Sequence, residues 1–141
     1  MRIIDLFSGV GGLTFGFYYR KYKDHFVRNR KNQFVFANEY NPLAAKAYSE
    51  NYPDIPMKNC DIKSLKESDI KEWIGAEPVD LIIGGPPCQS FSTVGQRNYD
   101  EKAQLYTEYL RVLKDTFPSV SSSIKGNIFS SSSKWKVCSI K

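Results

Sequence analysis

The sequence predicts an α/β domain built on a parallel sheet with helices on both faces. Two observations carry this. Short apolar runs of strand length recur at 2–7, 33–37, 56–60 and 79–83, and segments of helical period or helical capping lie between them, at 11–19, 41–48, 68–73 and 100–116. Strand–helix alternation of this kind produces parallel strands joined by crossover helices. A third observation gives the sheet a working edge: glycines and acids fall just after the apolar runs, where all the strands would end together.

The first run, 2–7, stops at glycines, as a buried strand does. Leu13 and Phe17 give the segment 11–19 an apolar face. The run 33–37 is rich in Phe and Val, which favour strands. Asn41-Pro42 opens a helix, with Asn as cap and Pro at the first helical position. Leu43, Ala44, Ala47 and Tyr48 are expected to form its buried stripe. A short strand is expected over 56–60, with Cys60 an inert thiol inside it. Ser68 is read as the cap of a helix reaching Trp73. The run 79–83 is continuously apolar, bounded by Pro78 and by Gly84-Gly85. Leu105, Tyr109, Val112 and Leu113 recur at helical spacing in 100–116.

Two stretches break the pattern. Residues 20–31 hold six Lys/Arg: Arg20, Lys21, Lys23, Arg28, Arg30 and Lys31. The first reading is a solvated loop or an extended helix end; the second is a phosphate-contacting patch. Farther on, nine of the 21 residues in 119–139 are serine. Serine runs bury too little apolar area to offset backbone ordering, so a sheet is not expected to continue there. This divides the chain into a domain over 1–118 and a tail, linker or truncation scar over 119–141. The run 79–83 would then be an exposed apolar edge, which favours a homodimer, a swapped strand, a complementing chain or low solubility.

Bulk properties narrow the classes. A length of 141 residues suits one core. Nothing approaches the run of about 20 apolar residues that spans a membrane. An acid at position 5 breaks the first apolar run, so no signal peptide is read and a bacterial cytoplasm is expected. The three cysteines are Cys60, Cys88 and Cys138, with a single histidine, His25. An odd count without metal-ligand spacing predicts neither a disulfide framework nor a zinc site. The net charge of +5 is compatible with a phosphate-bearing partner without requiring one.

Three sites carry chemistry. In Asp5-Leu6-Phe7-Ser8-Gly9-Val10-Gly11-Gly12 a strand runs through glycines into a helix. Such a turn brings backbone N–H groups and the positive helix end close to a ligand. Thr14 stands where the dinucleotide fingerprint has its third glycine, so that fingerprint is not met. Glu39 follows the second strand, where nucleotide-binding α/β folds place a ribose-binding acid; Asp61 follows the third. Each alone is as well explained as a helix cap. After the fourth strand, Pro86 and Pro87 stiffen the turn that leads to Cys88, a strong nucleophile once deprotonated.

These residues resemble a known family. Asp5 to Gly12, Asn38-Glu39-Tyr40, Asp61-Ile62 and Gly84-Gly85-Pro86-Pro87-Cys88-Gln89-Ser90-Phe91-Ser92 are similar, in order, to the first four motifs of the DNA cytosine-5 methyltransferases. The resemblance implies a Rossmann-like S-adenosylmethionine-dependent methyltransferase fold, here with an incomplete sheet. It implies S-adenosylmethionine as cofactor, held by Phe7, Gly9, Gly11, Leu13, Glu39, Tyr40, Asp61, Ile62 and Pro86. Double-stranded DNA is the implied partner, with Gln89, Ser92, Gln96 and Arg97 in a DNA-facing loop. Cys88 is the implied catalytic nucleophile, adding to C6 of a flipped cytosine. The family's Glu-Asn-Val after the fifth strand is not found; Val120-Ser121-Ser122-Ser123-Ile124-Lys125 stands there. The arginine motif and target-recognition part are not found either, so weak or no activity is expected of this chain alone. Two other readings remain: a non-catalytic cofactor-binding or self-associating module, and a tRNA-directed relative that shares the Pro-Pro-Cys-Gln core.

Overall fold

The computed structural model describes residues 1–86, 99–116, 120–122 and 136–138, with side chains for 1–86 and 104–116. The elements run β1 (Arg2–Leu6), α1 (Gly12–Tyr18), β2 (Tyr19–Tyr22), β3 (His25–Arg28), β4 (Gln33–Asn38), α2 (Pro42–Asn51) and β5 (Met57–Lys58). A short 3-10 turn (Ile62–Ser64), α3 (Glu67–Ile74), β6 (Leu81–Gly84), α4 (Tyr99–Thr116), β7 (Val120–Ser122) and β8 (Lys136–Cys138) follow.

Six strands form one sheet in the order β5-β4-β1-β6-β7-β8, and every pair is parallel. The chain winds outward from β1 to β4 and β5, then returns to place β6 on the other side of β1. The winding therefore reverses between β1 and β6, and it is outside the carboxyl ends of strands at such a point that ligands bind in open α/β sheets.

Alternation along the strands separates two apolar layers. Ile4, Leu6, Phe36 and Ile82 pack with Ile70, Ile74, Tyr109 and Val112 of α3 and α4. Ile3, Phe34, Leu81 and Ile83 pack with Tyr18, Tyr48 and Tyr52 near α1 and α2. The register slips between Ile3 and Ile4, so that Phe34 and Phe36 are their respective partners across β4. Val35 is thereby left as an extra residue, and Val35 and Phe36 both pack toward the α3–α4 layer.

Four local expectations are corrected. Most of 20–31 is neither loop nor helix end: Tyr19–Tyr22 and His25–Arg28 pair as an antiparallel hairpin, and residues 29–31 follow it as a turn. Aromatic and β-branched residues at Tyr19, Tyr22, Phe26 and Val27 favour strands over the solvated loop that charge alone suggested. On α2, Asn41 caps as expected, accepting from the N–H groups of Leu43 and Ala44, but Leu43 is 78% exposed and Ala45 with Tyr48 forms the buried stripe. The N-cap of α3 is Lys66, not Ser68, and Glu67 and Asp69 occupy its first turn. Cys60 lies beyond β5 rather than within it, half-buried.

A larger correction concerns the sheet edge. β6 is no edge: Leu81 and Ile82 pair with Val120 and Ser121 of β7, and β8 pairs in turn with β7. Backbone ladder bonds do not depend on side-chain apolarity, so serines joined a sheet whose burial is supplied by β6 and its helices. The exposed-edge argument for a homodimer falls with it.

Beneath the turn that follows β1 lies a buried polar chain. Thr14 Oγ1 donates to Asp5 Oδ2 and shares a hydrogen bond of 2.9 Å with the Tyr48 hydroxyl. Asp5 is fully buried, and its Oδ1 has no partner among the described residues. Burial pushes the Asp5 carboxyl up to about 7, against the smaller pull of the Thr14 hydroxyl, and nearby Glu39 adds to the rise. Burial also raises the Tyr48 phenol. The folded chain thus keeps a proton that the unfolded chain releases at about pH 4. The stability Asp5 contributes is fully present below that pH and is lost as the pH climbs to about 7. Asp5→Asn, which cannot ionise, should gain on the wild type in urea-midpoint stability across this window, by a few kcal/mol at most, and hold a constant lead above it. Parallel stability curves for the two proteins would contradict the assignment.

Candidate cofactor cleft

The turn between β1 and α1 is built from left-handed backbone. Phe7, Gly9 and Gly11 have φ of 55°, 56° and 92°. Gly11 caps α1, and a Cβ there would overlap the Tyr52 ring, whose hydroxyl donates to the Gly11 carbonyl at 2.7 Å. Phe7 pays the strain of a side-chain-bearing residue at positive φ. Gly84, at the end of β6, is glycine for another reason: a Cβ would collide with the Leu6 carbonyl across the β1–β6 pair.

Glu39 follows the end of β4 and faces that turn. One carboxylate oxygen accepts from Gly9 N–H at 2.9 Å and the other from Asn41 N–H at 2.7 Å. The carboxylate is therefore oriented by two backbone donors, and each oxygen keeps a further acceptor position. Asp61 caps the 3-10 turn, accepting from Lys63 N–H at 2.9 Å.

Two asparagines hold the acid-bearing loops together. Buried Asn38 donates through Nδ2 to the carbonyls of Lys58 and Cys60, each at 2.9 Å. Asn59 donates to the carbonyls of Glu39 and Tyr40 at 2.7 and 3.1 Å. The exits of β4 and β5 are thus cross-braced, which sets the spacing of Glu39 and Asp61. The sequence had shown Asn38 only as a motif member and gave no signal for Asn59, because bracing is a property of neighbouring loops and not of either one.

Phe7, Asn38, Glu39, Tyr40, Asp61, Lys63, Gly85 and Leu105 line a cleft of about 580 Å³ at the carboxyl ends of β1, β4, β5 and β6. That volume lies within the usual range for small-molecule sites, about 300–1,000 Å³. Lys63 donates to Gln104 of α4 at 3.0 Å, closing one wall. Larger hollows of about 760 and 910 Å³ lie at the strand-start end, around Arg2, Trp73 and the β2–β3 hairpin. They lack the glycine turn and the paired acids, and lie on the side of the sheet where such folds do not bind ligands.

Of the expected cofactor residues, Phe7, Glu39, Tyr40 and Asp61 come together in the cleft, while Gly9 and Gly11 belong to the adjoining turn and do not line it. Leu13 packs into the α1–α2 layer and Ile62 is 2% exposed in the opposite core, so neither side chain lines the cleft. Pro86 is buried just past the end of β6. Lys63, Gly85 and Leu105 line the cleft without having been anticipated. Cys88, Gln89, Ser92, Gln96 and Arg97 lie outside the described residues. Among the described residues, no group of three or more His, Cys, Asp or Glu gathers as a metal site would, and no helix is long and apolar enough to cross a membrane.

Comparisons with known proteins bear on the same segment. The profile of the C-5 cytosine-specific DNA methylase family matches residues 1–121. The chain is 37% identical over 121 residues to the Type II methyltransferase M.AgeI of Thalassovita gelatinovora, covering 84% of this chain and 26% of that one. It is 35% identical over 133 residues to the Type II methyltransferase M.AquIA of a Picosynechococcus strain, covering 90% of this chain and 50% of that one. The chain thus spans half or less of the length of these relatives. A prophage-encoded E. coli protein assigned as a DNA modification methyltransferase superposes with a TM-score of 0.68 at 29% identity, over 92% of this chain and 34% of that structure. The Dnmt2 methyltransferase of S. pombe shares the fold, with a TM-score of 0.61 at 24% identity. With a family match that runs from ahead of β1 into β7, the chain belongs to the C-5 cytosine-specific DNA methylase family.

Proposed function

We propose that the chain supplies the cofactor-binding and nucleophile half of a DNA cytosine-5 methyltransferase, acting on duplex DNA with S-adenosylmethionine as methyl donor. One observation carries the proposal: Glu39 is held by Gly9 and Asn41 N–H groups at the mouth of a strand-end cleft, with acceptor capacity left for a ribose.

The residues present fit the cofactor. The Glu39 carboxylate would accept from the ribose hydroxyls, and Asp61 would accept from the adenine amino group. The Tyr40 ring, 74% exposed, is free to cover the adenine. In the glycine turn the buried Ser8 hydroxyl has no partner among the described residues, as a group awaiting a ligand would. When bound, the cofactor supplies an electrophilic methyl group on a sulfonium.

Cys88 follows Pro86 by two residues, and Pro86 stands just past the end of β6. In the proposed reaction the Cys88 thiolate bonds to C6 of a flipped cytosine, and the displaced ring electrons make C5 nucleophilic. C5 takes the methyl group. Loss of the C5 proton to a base then restores the ring double bond and expels the thiolate. The position after β7 where the family carries a glutamate for the cytosine ring holds Ser123-Ile124-Lys125. Loss of one preorganised group of this kind costs about 10²–10³-fold in rate, so turnover by this chain alone is expected to be slow or nil, and a complementing chain would restore it.

Two outcomes test this. Glu39→Ala removes two charged hydrogen bonds to the ribose and frees the Gly9 and Asn41 N–H groups. It should weaken S-adenosylmethionine binding in calorimetry by about 100-fold or more; unchanged affinity would refute the cleft assignment. Duplex DNA carrying 5-fluorocytosine cannot release its C5 substituent as a proton, so it should trap wild-type chain covalently in the presence of cofactor, and Cys88→Ser should form no adduct. No adduct, with or without a complementing chain, would contradict the catalytic part while leaving cofactor binding to be judged by calorimetry.

A further inference from the structure

The β2–β3 hairpin is not used by the cleft chemistry. Residues 19–31 carry six Lys/Arg and one acid, Asp24, so this segment accounts for the whole +5 net charge and the remainder of the chain is balanced. The hairpin follows α1 to the strand-start end of the sheet, where Asn29 N–H donates to the Tyr18 carbonyl at 2.7 Å and Gln33 N–H to the Met1 carbonyl at 2.9 Å. It therefore sits at the end opposite the cofactor cleft.

Its register separates two faces. Tyr19 pairs with Arg28 and Lys21 with Phe26; Arg20 pairs with Val27 and Tyr22 with His25. On the first face, Phe15 of α1 packs against Phe26 and Tyr19, with ring centroids 5.1 Å apart in each case. Arg28 is spent on structure: it bonds the carbonyls of Tyr18, Asn29 and Asn32, pairs with Asp54 at 3.3 Å and lies 3.9 Å from the Tyr18 ring centre. The second face is open. Arg20, Tyr22, His25 and Val27, with Arg30 and Lys31 beyond the strand, line a trough of about 910 Å³. Arg20 and Lys23 lie 5.7 and 5.8 Å from the Tyr22 ring centre, which holds two cations near one another.

No acid pairs with Arg20, Lys21, Lys23, Arg30 or Lys31 among the described residues. Of these, Arg20, Arg30 and Lys31 line the trough and Lys23 lies beside it at Tyr22; four cations gathered on one side without paired acids repel one another, and a polyanion relieves this arrangement. We propose that the open face of the β2–β3 hairpin, with Arg30 and Lys31, is a phosphodiester-binding surface that takes the backbone of duplex DNA. The trough is wide and lined by the cations Arg20, Arg28, Arg30 and Lys31, with the exposed rings of Tyr22 and His25 among them. That matches a phosphate backbone better than an apolar bilayer interior, and it contains no array of convergent donors and acceptors for reading base edges. The surface would bind DNA without sequence preference and hold the chain near duplex, independently of the methyl-transfer reading.

The test is salt-dependent binding of a duplex of arbitrary sequence to the full chain, read by fluorescence anisotropy. Arg20→Gln/Arg30→Gln/Lys31→Gln should lower the slope of log affinity against log salt by about 0.9 for each contact removed, with an equal loss for every sequence. Removing three exposed cations elsewhere, by Lys46→Gln/Lys66→Gln/Lys114→Gln, should leave the slope unchanged. In the wild-type chain, bound duplex should protect Lys23 and Lys31 from acetylation. An unchanged slope in the hairpin variant, unprotected Lys31 under saturating DNA, or binding to phosphatidylserine vesicles or polyglutamate in preference to DNA would overturn the proposal. Calorimetric cofactor binding by the variant, at the far end of the sheet, reports that it is folded.

Discussion

Between Leu6 and Gly12 the chain turns from a central strand into a helix, and it does so with three residues in left-handed backbone. The turn is fastened from three sides. Glu39 takes the Gly9 N–H, Tyr52 holds the Gly11 carbonyl, and Ser8 N–H bonds the Asn38 carbonyl at 3.1 Å. Each fastener comes from the β4–α2 segment, so the turn and the end of β4 are positioned as one unit. The placement of Phe7, the orientation of the Glu39 carboxylate and the start of α1 all follow from this clamp. The buried Asp5–Thr14–Tyr48 chain supports it from below and ties β1, α1 and α2 together where the glycines supply no side chains.

Much of this was legible in the sequence, for identifiable reasons. Parallel strands buried on both faces read as apolar runs, and β1, β4 and β6 stand close to where they were expected, whereas the run 56–60 forms only the two-residue β5. Asn41-Pro42 specified its helix start through local capping chemistry that needs no tertiary context. Glu39 and Asp61 could be placed because acids at strand ends converge in any parallel sheet. What was not legible depended on partners distant in sequence. Asn59 matters because the carbonyls of residues 39 and 40 lie beside it. Leu43 is apolar but points outward, because the helix is oriented by Ala45 and Tyr48 against β-strand neighbours. Val120–Ser122 joins the sheet through its backbone, where a composition argument weighs only side chains.

The hairpin is the instructive mixed case. Its charge was plain in the sequence and its conformation was not, because cationic strands look like solvated loops until their aromatic neighbours are seen to pack. Arg28 shows why counting charges is insufficient: it lines the same trough as Arg20 and Arg30, yet its guanidinium is consumed by three carbonyls and Asp54. The molecule consequently has two unlike ends, an acid-bearing cleft at the strand ends and an unbalanced basic face at the strand starts, separated by the length of the strands.

In the proposed function, the strand-end cleft is assembled by this chain's own residues and receives the cofactor in a defined place. The most direct measurement is a crystal structure of the chain with S-adenosylhomocysteine. The nucleoside is expected in the cleft lined by Phe7, Tyr40 and Asp61, with both ribose hydroxyls within hydrogen-bonding distance of the Glu39 carboxylate. A nucleoside seated instead in the hollow between Arg2, Asp54 and Trp73, or one in the cleft with Glu39 still bonded only to Gly9 and Asn41, would contradict it.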